Sequence, residues 1–158
     1  WLRCRPTRAV IRADRLALWR IASNLVTNAL DATDAGGILV AWRARSRTLE
    51  VRDSGRGIAL EHQDIIFEEF RRLPESGPRG LGLGLATVRR LAGLLGAQID
   101  LRSAPGRGSV FRLRFPVASV LDDDTPVAAR ARMPAAEPPG GWVAARPGTK
   151  VLAVDDDE

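Results

Sequence analysis

Residues 1–117 predict an α+β fold: a two-layer α/β sandwich in which helices cover one face of a mixed, mostly antiparallel sheet. Three observations predict it. Two stretches repeat their apolar residues at helical spacing. Several others alternate at strand spacing and are joined in pairs by short turns, not by the long crossovers of a regular βαβ repeat. Finally, 45% of the 158 residues are apolar, which suits a folded core.

The elements follow in order. Residues 9–12 (Ala9-Val10-Ile11-Arg12) read as a short strand. Asp14 stands where a helix N-cap belongs, since its carboxylate can accept from a free N–H of the first turn. From Arg15 to Thr33, Leu18, Ile21, Ala22, Leu25, Ala29 and Ala32 recur at helical spacing, and Gly36-Gly37 ends that helix. Ile38, Val40, Trp42 and Ala44 alternate as one face of a strand; Leu49, Val51 and Asp53 alternate in the next. Arg45-Ser46-Arg47 closes the hairpin between them. Residues 61–70 read as a short helix, followed by the turn formers Pro74, Ser76, Gly77 and Pro78. The run Gly80-Leu81-Gly82-Leu83-Gly84 opens a second helix, with Leu85, Val88, Leu91, Ala92 and Leu95 inward and Gly96 as its stop. Two last strands, residues 97–103 and 109–115, flank the turn Pro105-Gly106-Arg107-Gly108.

Three constellations carry chemistry. Asn24, Asn28 and Asp31, at i, i+4 and i+7, share one helix face beside the apolar stripe. An Asn carbonyl oxygen can coordinate a hard cation such as Mg²⁺; a solvated face, or amides paired to a neighbouring loop, would give the same pattern. Asp53 ends its strand pointing inward, where a carboxylate must find donors. The exocyclic amine of a purine would serve, with Gly55 and Gly57 letting the backbone approach the ring; an ordinary Asp-Ser-Gly turn is the plainer alternative. Gly80, Gly82 and Gly84 precede a helix N-terminus, an arrangement that favours phosphate, although a flexible hinge would also use it. It is not a P-loop, because no Gly-Lys-Ser/Thr follows. Ser109 points inward at the start of the last strand and could hydrogen-bond near Asp53, directly or through water.

Composition removes other classes. The net charge is +5, but lysine occurs once, at Lys150, the arginines are scattered, and there is no tyrosine. Base-stacking platforms therefore have little to work with, and nucleic acid is not expected as a partner. Cys4 is the single cysteine, so no disulfide forms within the chain, and a reducing, cytoplasmic setting fits. No apolar run of about 18 residues is present to span a membrane. The start at Trp1 predicts a piece of a longer protein, with any sensor or membrane segment upstream.

In this order and spacing the residues resemble the catalytic domain of histidine kinases. Arg20-Ile-Ala-Ser-Asn24-Leu-Val-Thr-Asn28-Ala-Leu-Asp31-Ala-Thr33 resembles its N box, and Asp53-Ser-Gly55-Arg-Gly57-Ile58 its G1 box. Ile66-Phe67-Glu-Glu-Phe70-Arg71 resembles its F box, and Gly80-Leu81-Gly82-Leu83-Gly84-Leu85 its G2 box. Pro105-Gly106-Arg-Gly108-Ser109-Val-Phe111 resembles the closing hairpin. The resemblance implies the Bergerat (GHKL) fold, with ATP and Mg²⁺ bound between helices under a lid formed by residues 54–79. It implies Asn28 as the Mg²⁺ ligand, Asn24 near metal and phosphates, and Asp53 reading the adenine amine. Gly55, Gly57 and Ile58 would surround the base, and the Gly80–Leu85 run would hold the phosphates. Phe67 and Phe70 would anchor the lid.

Two departures stand out. Many family members carry Lys or Arg where this chain has Asp31, so the resemblance leaves that phosphate contact to Arg56 or Arg79. Leu81 replaces a residue that is often polar. One position separates the relatives: chaperone and topoisomerase ATPases of this fold place a Glu base four residues before the metal-binding Asn. Here that position is Asn24, which favours phosphoryl transfer over hydrolysis. The alternative is a module of the same fold in another class, a serine-phosphorylating regulator or a non-catalytic nucleotide-binding domain. His62 does not resemble an acceptor, so the acceptor histidine and the dimerisation helices are expected upstream, and a homodimer only through those helices. Residues 118–149, rich in Pro, Ala and Gly, read as a linker. Residues 150–158 resemble the first strand and acidic pair of a receiver domain, which would make the parent a hybrid kinase with a downstream receiver or response regulator as partner.

Overall fold

The computed structural model describes residues 2–4, 10–72, 81–117, 120–121 and 149–155. In chain order the elements are β1 (Leu2–Cys4), β2 (Val10–Ile11), α1 (Arg15–Ala32), β3 (Gly36–Arg43) and β4 (Thr48–Asp53). Then come α2 (Gly84–Leu94), β5 (Gln98–Ser103), β6 (Ser109–Arg114), β7 (Val120–Leu121) and β8 (Thr149–Asp155). Asp14 sets the start of α1: its Oδ1 accepts from the Ala17 N–H at 2.7 Å, a cap worth about 1 kcal/mol. Beyond Ala32 the chain turns extended at Thr33.

The main sheet runs β1-β8-β3-β4-β6-β5. The β3–β4, β4–β6 and β5–β6 pairs are antiparallel, and β8 pairs parallel with both β1 and β3. The expected mixed, mostly antiparallel sheet is therefore present. The alternating residues do what their period dictates. Ile38, Trp42, Val51, Phe111, Leu113 and Phe115 point to one face and meet Ile21, Leu25 and Ala29 of α1 and Val88 and Ala92 of α2. Each large side chain so buried contributes about 1.5–3 kcal/mol. Trp42 and Phe115 close one end of this layer, their rings tilted with centroids 6.0 Å apart.

Four details differ from the sequence reading. Residues 61–70 are not an α-helix but two 3₁₀ turns, Leu60–His62 and Ile65–Phe67. Leu60 is largely exposed and Ile66 is the segment's one fully buried apolar residue, so no continuous stripe rewards a helix. The Gln63 amide instead pins the segment by donating to the carbonyls of Ile58 (3.1 Å) and Ser103 (3.0 Å). Gly36-Gly37, expected as a helix stop, already opens β3: the Gly37 N–H donates to Ser54 Oγ at 2.9 Å, and its carbonyl accepts from the Ser54 N–H at 3.1 Å. Within the expected linker, Val120–Leu121 pairs antiparallel with Val10–Ile11. The strand expected near Lys150 runs beside β3, from Gly36 opposite Thr149 to Trp42 opposite Asp155. The rest of residues 118–149 and the last three residues lie outside the described residues.

Candidate functional site

Between the C-terminal half of α1, the ends of β4 and β6 and the start of α2 lies a cavity of about 170 Å³. Helix α1 contributes Asn28, Asp31 and Ala32. The segment leaving β4 contributes Asp53, Arg56, Gly57 and Ile58, and α2 with its approach contributes Gly82, Gly84 and Leu85. Ser109 and Phe111 of β6, Ile66, Arg71 and Arg72 complete the wall.

Asp53 is placed by the register of two strands. It lies opposite Ser109 on β6 and Ile38 on β3, and it is 4% exposed. Its Oδ1 accepts from the Gly55 N–H at 2.9 Å and the Ser109 N–H at 3.2 Å. The Ser109 hydroxyl is a further hydrogen-bonding neighbour of the carboxyl, and Asp53 lines the cavity wall. Burial pushes the carboxyl above its ordinary value; the hydrogen bonds from Gly55 and Ser109 and the nearby Arg56 charge oppose this without cancelling it. A buried acid held by backbone donors on a cavity wall is suited to accept from a ligand N–H.

Glycine at 57 is required twice over. Its φ is +70°, and a Cβ there would lie 1.9 Å from the Ala104 carbonyl oxygen. The Gly106 N–H donates to Arg56 O at 2.7 Å, and the Ile58 N–H to Ser103 Oγ at 2.8 Å, which locks this loop to the β5–β6 turn. The Ser103 hydroxyl lies 3.1 Å from Ser109 Oγ, so the serines tie the Asp53 neighbourhood together.

Across the cavity, α2 begins at Gly84. Leu83 at its N-cap offers no side-chain acceptor, so the first N–H groups of the helix lack a cap. A Cβ on Gly84 would stand 3.6 Å from Asn24 Oδ1 and 3.8 Å from Asn28 Oδ1. Both amides of α1 therefore face the start of α2. Asn28 Nδ2 is buried without a hydrogen-bond partner. An unsatisfied amide on a cavity wall is costly unless something bound there uses it. Among the described residues no three His, Cys, Asp or Glu side chains cluster as a metal site. A hard cation here would depend on amide oxygen, water and the oxygens of a co-ligand, a donor set that suits Mg²⁺.

Of the residues singled out from sequence, Asn28, Asp31, Asp53, Gly57, Ile58, Gly82, Gly84, Leu85 and Ser109 share the cavity wall. Asn24 sits behind Gly84. Gly55 packs off the wall, where a Cβ would strike the Ala32 carbonyl oxygen at 2.1 Å. Leu83 serves as the N-cap, and Leu81 is 76% exposed; neither lines the cavity. Gly80 and Arg79 lie outside the described residues. Phe67 packs edge-on to Phe111 with centroids 6.4 Å apart, under the guanidinium of Arg89. The Phe70 ring is 70% exposed, and its backbone N–H donates to Gly82 O at 3.1 Å. Arg71 and Arg72, assigned no site role from sequence, also line the cavity, and two adjacent arginines are a readable signal for an anion.

Residues 13–119 match a family model described as histidine kinase-, DNA gyrase B-, and HSP90-like ATPase. The chain is 40% identical over 139 residues to the sensor histidine kinase AtsR of Burkholderia thailandensis, covering 79% of this chain and 23% of that protein. It is 37% identical over 115 residues to the sensor protein IrlS of Burkholderia pseudomallei, covering 69% and 25%. The crystal structure of full-length ShkA in complex with AMPPNP is similar with a TM-score of 0.59 and 34% identity, over 67% of this chain and 22% of that one. The catalytic domain of the histidine kinase ThkA is similar with a TM-score of 0.55 and 29% identity, over 66% and 69%. The chain thus spans about a quarter of the length of these curated relatives.

Proposed function

Because the chain belongs to the histidine kinase-, DNA gyrase B- and HSP90-like ATPase family, we propose that it is the ATP-binding catalytic domain of a two-component sensor histidine kinase. It binds Mg-ATP and passes the γ-phosphoryl group to a histidine on a dimerisation domain outside this chain. The observation that carries this reading is the pairing of Asn24 and Asn28 against Gly84. The position one turn before Asn28 holds a neutral amide, which cannot take a proton from an attacking water.

Each residue then has one task. Asp53 accepts from the adenine amine, while Ile58, Ile66 and Phe111 enclose the base. The N-terminus of α2 faces the phosphates with uncapped N–H groups, and Gly82 lets the Phe70–Arg71 backbone pack close to that approach. Asn28 would hold Mg²⁺ through its amide oxygen with Asn24 beside it; Mg²⁺, when bound, neutralises charge on the transferring phosphoryl group. Catalysis is then positioning of the γ-phosphate for an external nucleophile.

The sequence Val151-Leu152-Ala153-Val154-Asp155-Asp156 resembles the start of a receiver domain and on that resemblance alone suggests a hybrid parent; its strand, Thr149–Asp155, pairs within the main sheet between β1 and β3. A cytoplasmic site follows from the need for ATP. None of the described helices is long and apolar enough to cross a membrane. The test joins this chain to its upstream helices and supplies γ-labelled ATP. Acid-labile label on histidine is expected. Acid-stable label on serine would assign the chain to a serine-phosphorylating class instead, and no label at all to a non-catalytic nucleotide-binding one.

A further inference from the structure

The sheet carries a second charged surface, on the face opposite the Asp53 cavity. Val51, Phe111 and Leu113 point into the core, so the alternate residues Glu50, Arg112 and Arg114 of β4 and β6 point the other way. On β5, Ile99 and Leu101 pack toward the core, which leaves Asp100 and Arg102 on that same outer face. The register sets these residues in rows. Arg114 lies beside Thr48, Arg112 lies between Glu50 and Asp100, and Val110 lies between Arg52 and Arg102. Arg43, Arg102, Arg112 and Arg114, with Glu50 and Asp100, line a groove of about 420 Å³.

Only part of the positive charge in this groove is answered. Glu50 pairs with Arg43 at 3.3 Å and with Arg112 at 2.8 Å, and it is buried beneath them. Arg102 and Arg114 are exposed and make no ion pair among the described residues. Arg52, exposed in the row of Arg102, is a further cation of the same kind. Asp100 stands in the row between Arg102 and Arg114 and divides them.

The spacing selects an extended acidic polypeptide. Arg114, Arg112 and Arg102 occupy three successive rows, and rows two residues apart along a strand are separated by roughly 7 Å. Carboxylates on alternate residues of an extended chain recur at the same interval. The planar guanidinium fork matches a carboxylate, and Glu50 already shows that pairing inside the groove. Nucleic acid fits worse. Among the described residues no aromatic side chain lines the groove to stack a base, and evenly spaced phosphates would set charge against Asp100. A peptide can place a neutral residue there. We propose that this outer face is a docking surface for an acidic segment of a partner protein, bound in extended form with its carboxylates on Arg102 and Arg114. The Asp53 cavity lies on the other side of the sheet, so this partner leaves it open.

The test is fluorescence anisotropy of a labelled peptide of Glu-Thr repeats titrated with this chain. A Gln-Thr peptide and a single-stranded oligonucleotide of equal charge are the comparisons. The chain is used unaltered and as R102A/R114A, R102K/R114K and R90E; the last makes the same change of net charge on α2, away from the groove. Thermal unfolding is followed for each. The acidic peptide is expected to bind the unaltered chain more tightly than either comparison, and more weakly as salt is raised. R102A/R114A should weaken it on the order of tenfold, within the range for two exposed ion pairs. R102K/R114K should keep part of the affinity and R90E nearly all of it. Failure of the acidic peptide to bind, unchanged affinity in R102A/R114A, or an equal loss in R90E would overturn the proposal. So would an oligonucleotide that binds as tightly and is lost in the same variant, which would make the face a general polyanion surface.

Discussion

Asp53 and Ser109 stand opposite each other on β4 and β6, and the Ser109 N–H donates to Asp53 Oδ1 at 3.2 Å across that register. The strand ladder that builds the sheet therefore also aims the carboxylate. Ser109 and Gly55 together hold Oδ1, which fixes the carboxyl on the cavity wall.

Replacing this carboxylate should separate binding from stability. Asp53→Asn keeps an acceptor for both N–H groups but turns a donor toward the adenine amine, and should weaken ATP by about a hundredfold. Burial raises the Asp53 pKa in the folded state. A raised folded pKa means the stabilising contribution is present below the unfolded value and is lost as pH rises through the folded one. At neutral pH the ionised group therefore works against folding. Asp53→Asn should be at least as stable as the parent at pH 7, and that advantage should vanish near pH 4. Urea unfolding at the two pH values checks it.

Glu50 has the opposite sign. It is 7% exposed on the sheet face away from the helices and bridges Arg43 at 3.3 Å and Arg112 at 2.8 Å. Burial alone would raise its pKa, but the hydrogen bonds and charges of Arg112 and Arg43 outweigh that and hold it below the ordinary value. Its contribution is thus present above the unfolded pKa and lost as pH falls through the lower folded one. Glu50→Ala should cost about 1–3 kcal/mol at pH 7, less in acid, with nucleotide affinity unchanged. Denaturation midpoints and titration against ATP read both halves.

Two glycines predict contrary outcomes for one substitution. Gly57→Ala forces a Cβ onto the Ala104 carbonyl at φ +70° and should cost about 2 kcal/mol or more through strain and displacement of the loop. Gly93 lies inside α2 with no positive φ, and nothing lies within 4 Å of where a Cβ would stand. Gly93→Ala should stabilise by about 0.5–1 kcal/mol. Thermal unfolding of the pair shows whether loop geometry, rather than glycine loss as such, sets the cost.

Much of this is legible in the sequence because period and chemistry agree. Leu25 and Ala29 fall on the helical stripe, Val51 and Phe111 on strand alternation, and each is buried where its period puts it. Asp14 declares the start of α1 by its type alone. The rest depends on contacts between distant residues. Gln63 fixes 3₁₀ turns by reaching Ser103, forty positions away. Arg56 looks like a free loop cation until α1 supplies the carbonyls that hold it. The Phe70–Arg71 backbone meets Gly82 only because the fold brings the two segments together.

The central claim is that Asn28 and Asp53, on opposite walls, belong to one Mg-ATP site. Isothermal titration of Mg-ATP into this chain and into Asn28→Asp and Asp53→Asn tests it directly. The account predicts binding by the parent and a loss of about tenfold or more in each variant, with Asn28→Asp affecting ATP and sparing adenosine. Binding of equal strength in all three proteins would contradict it.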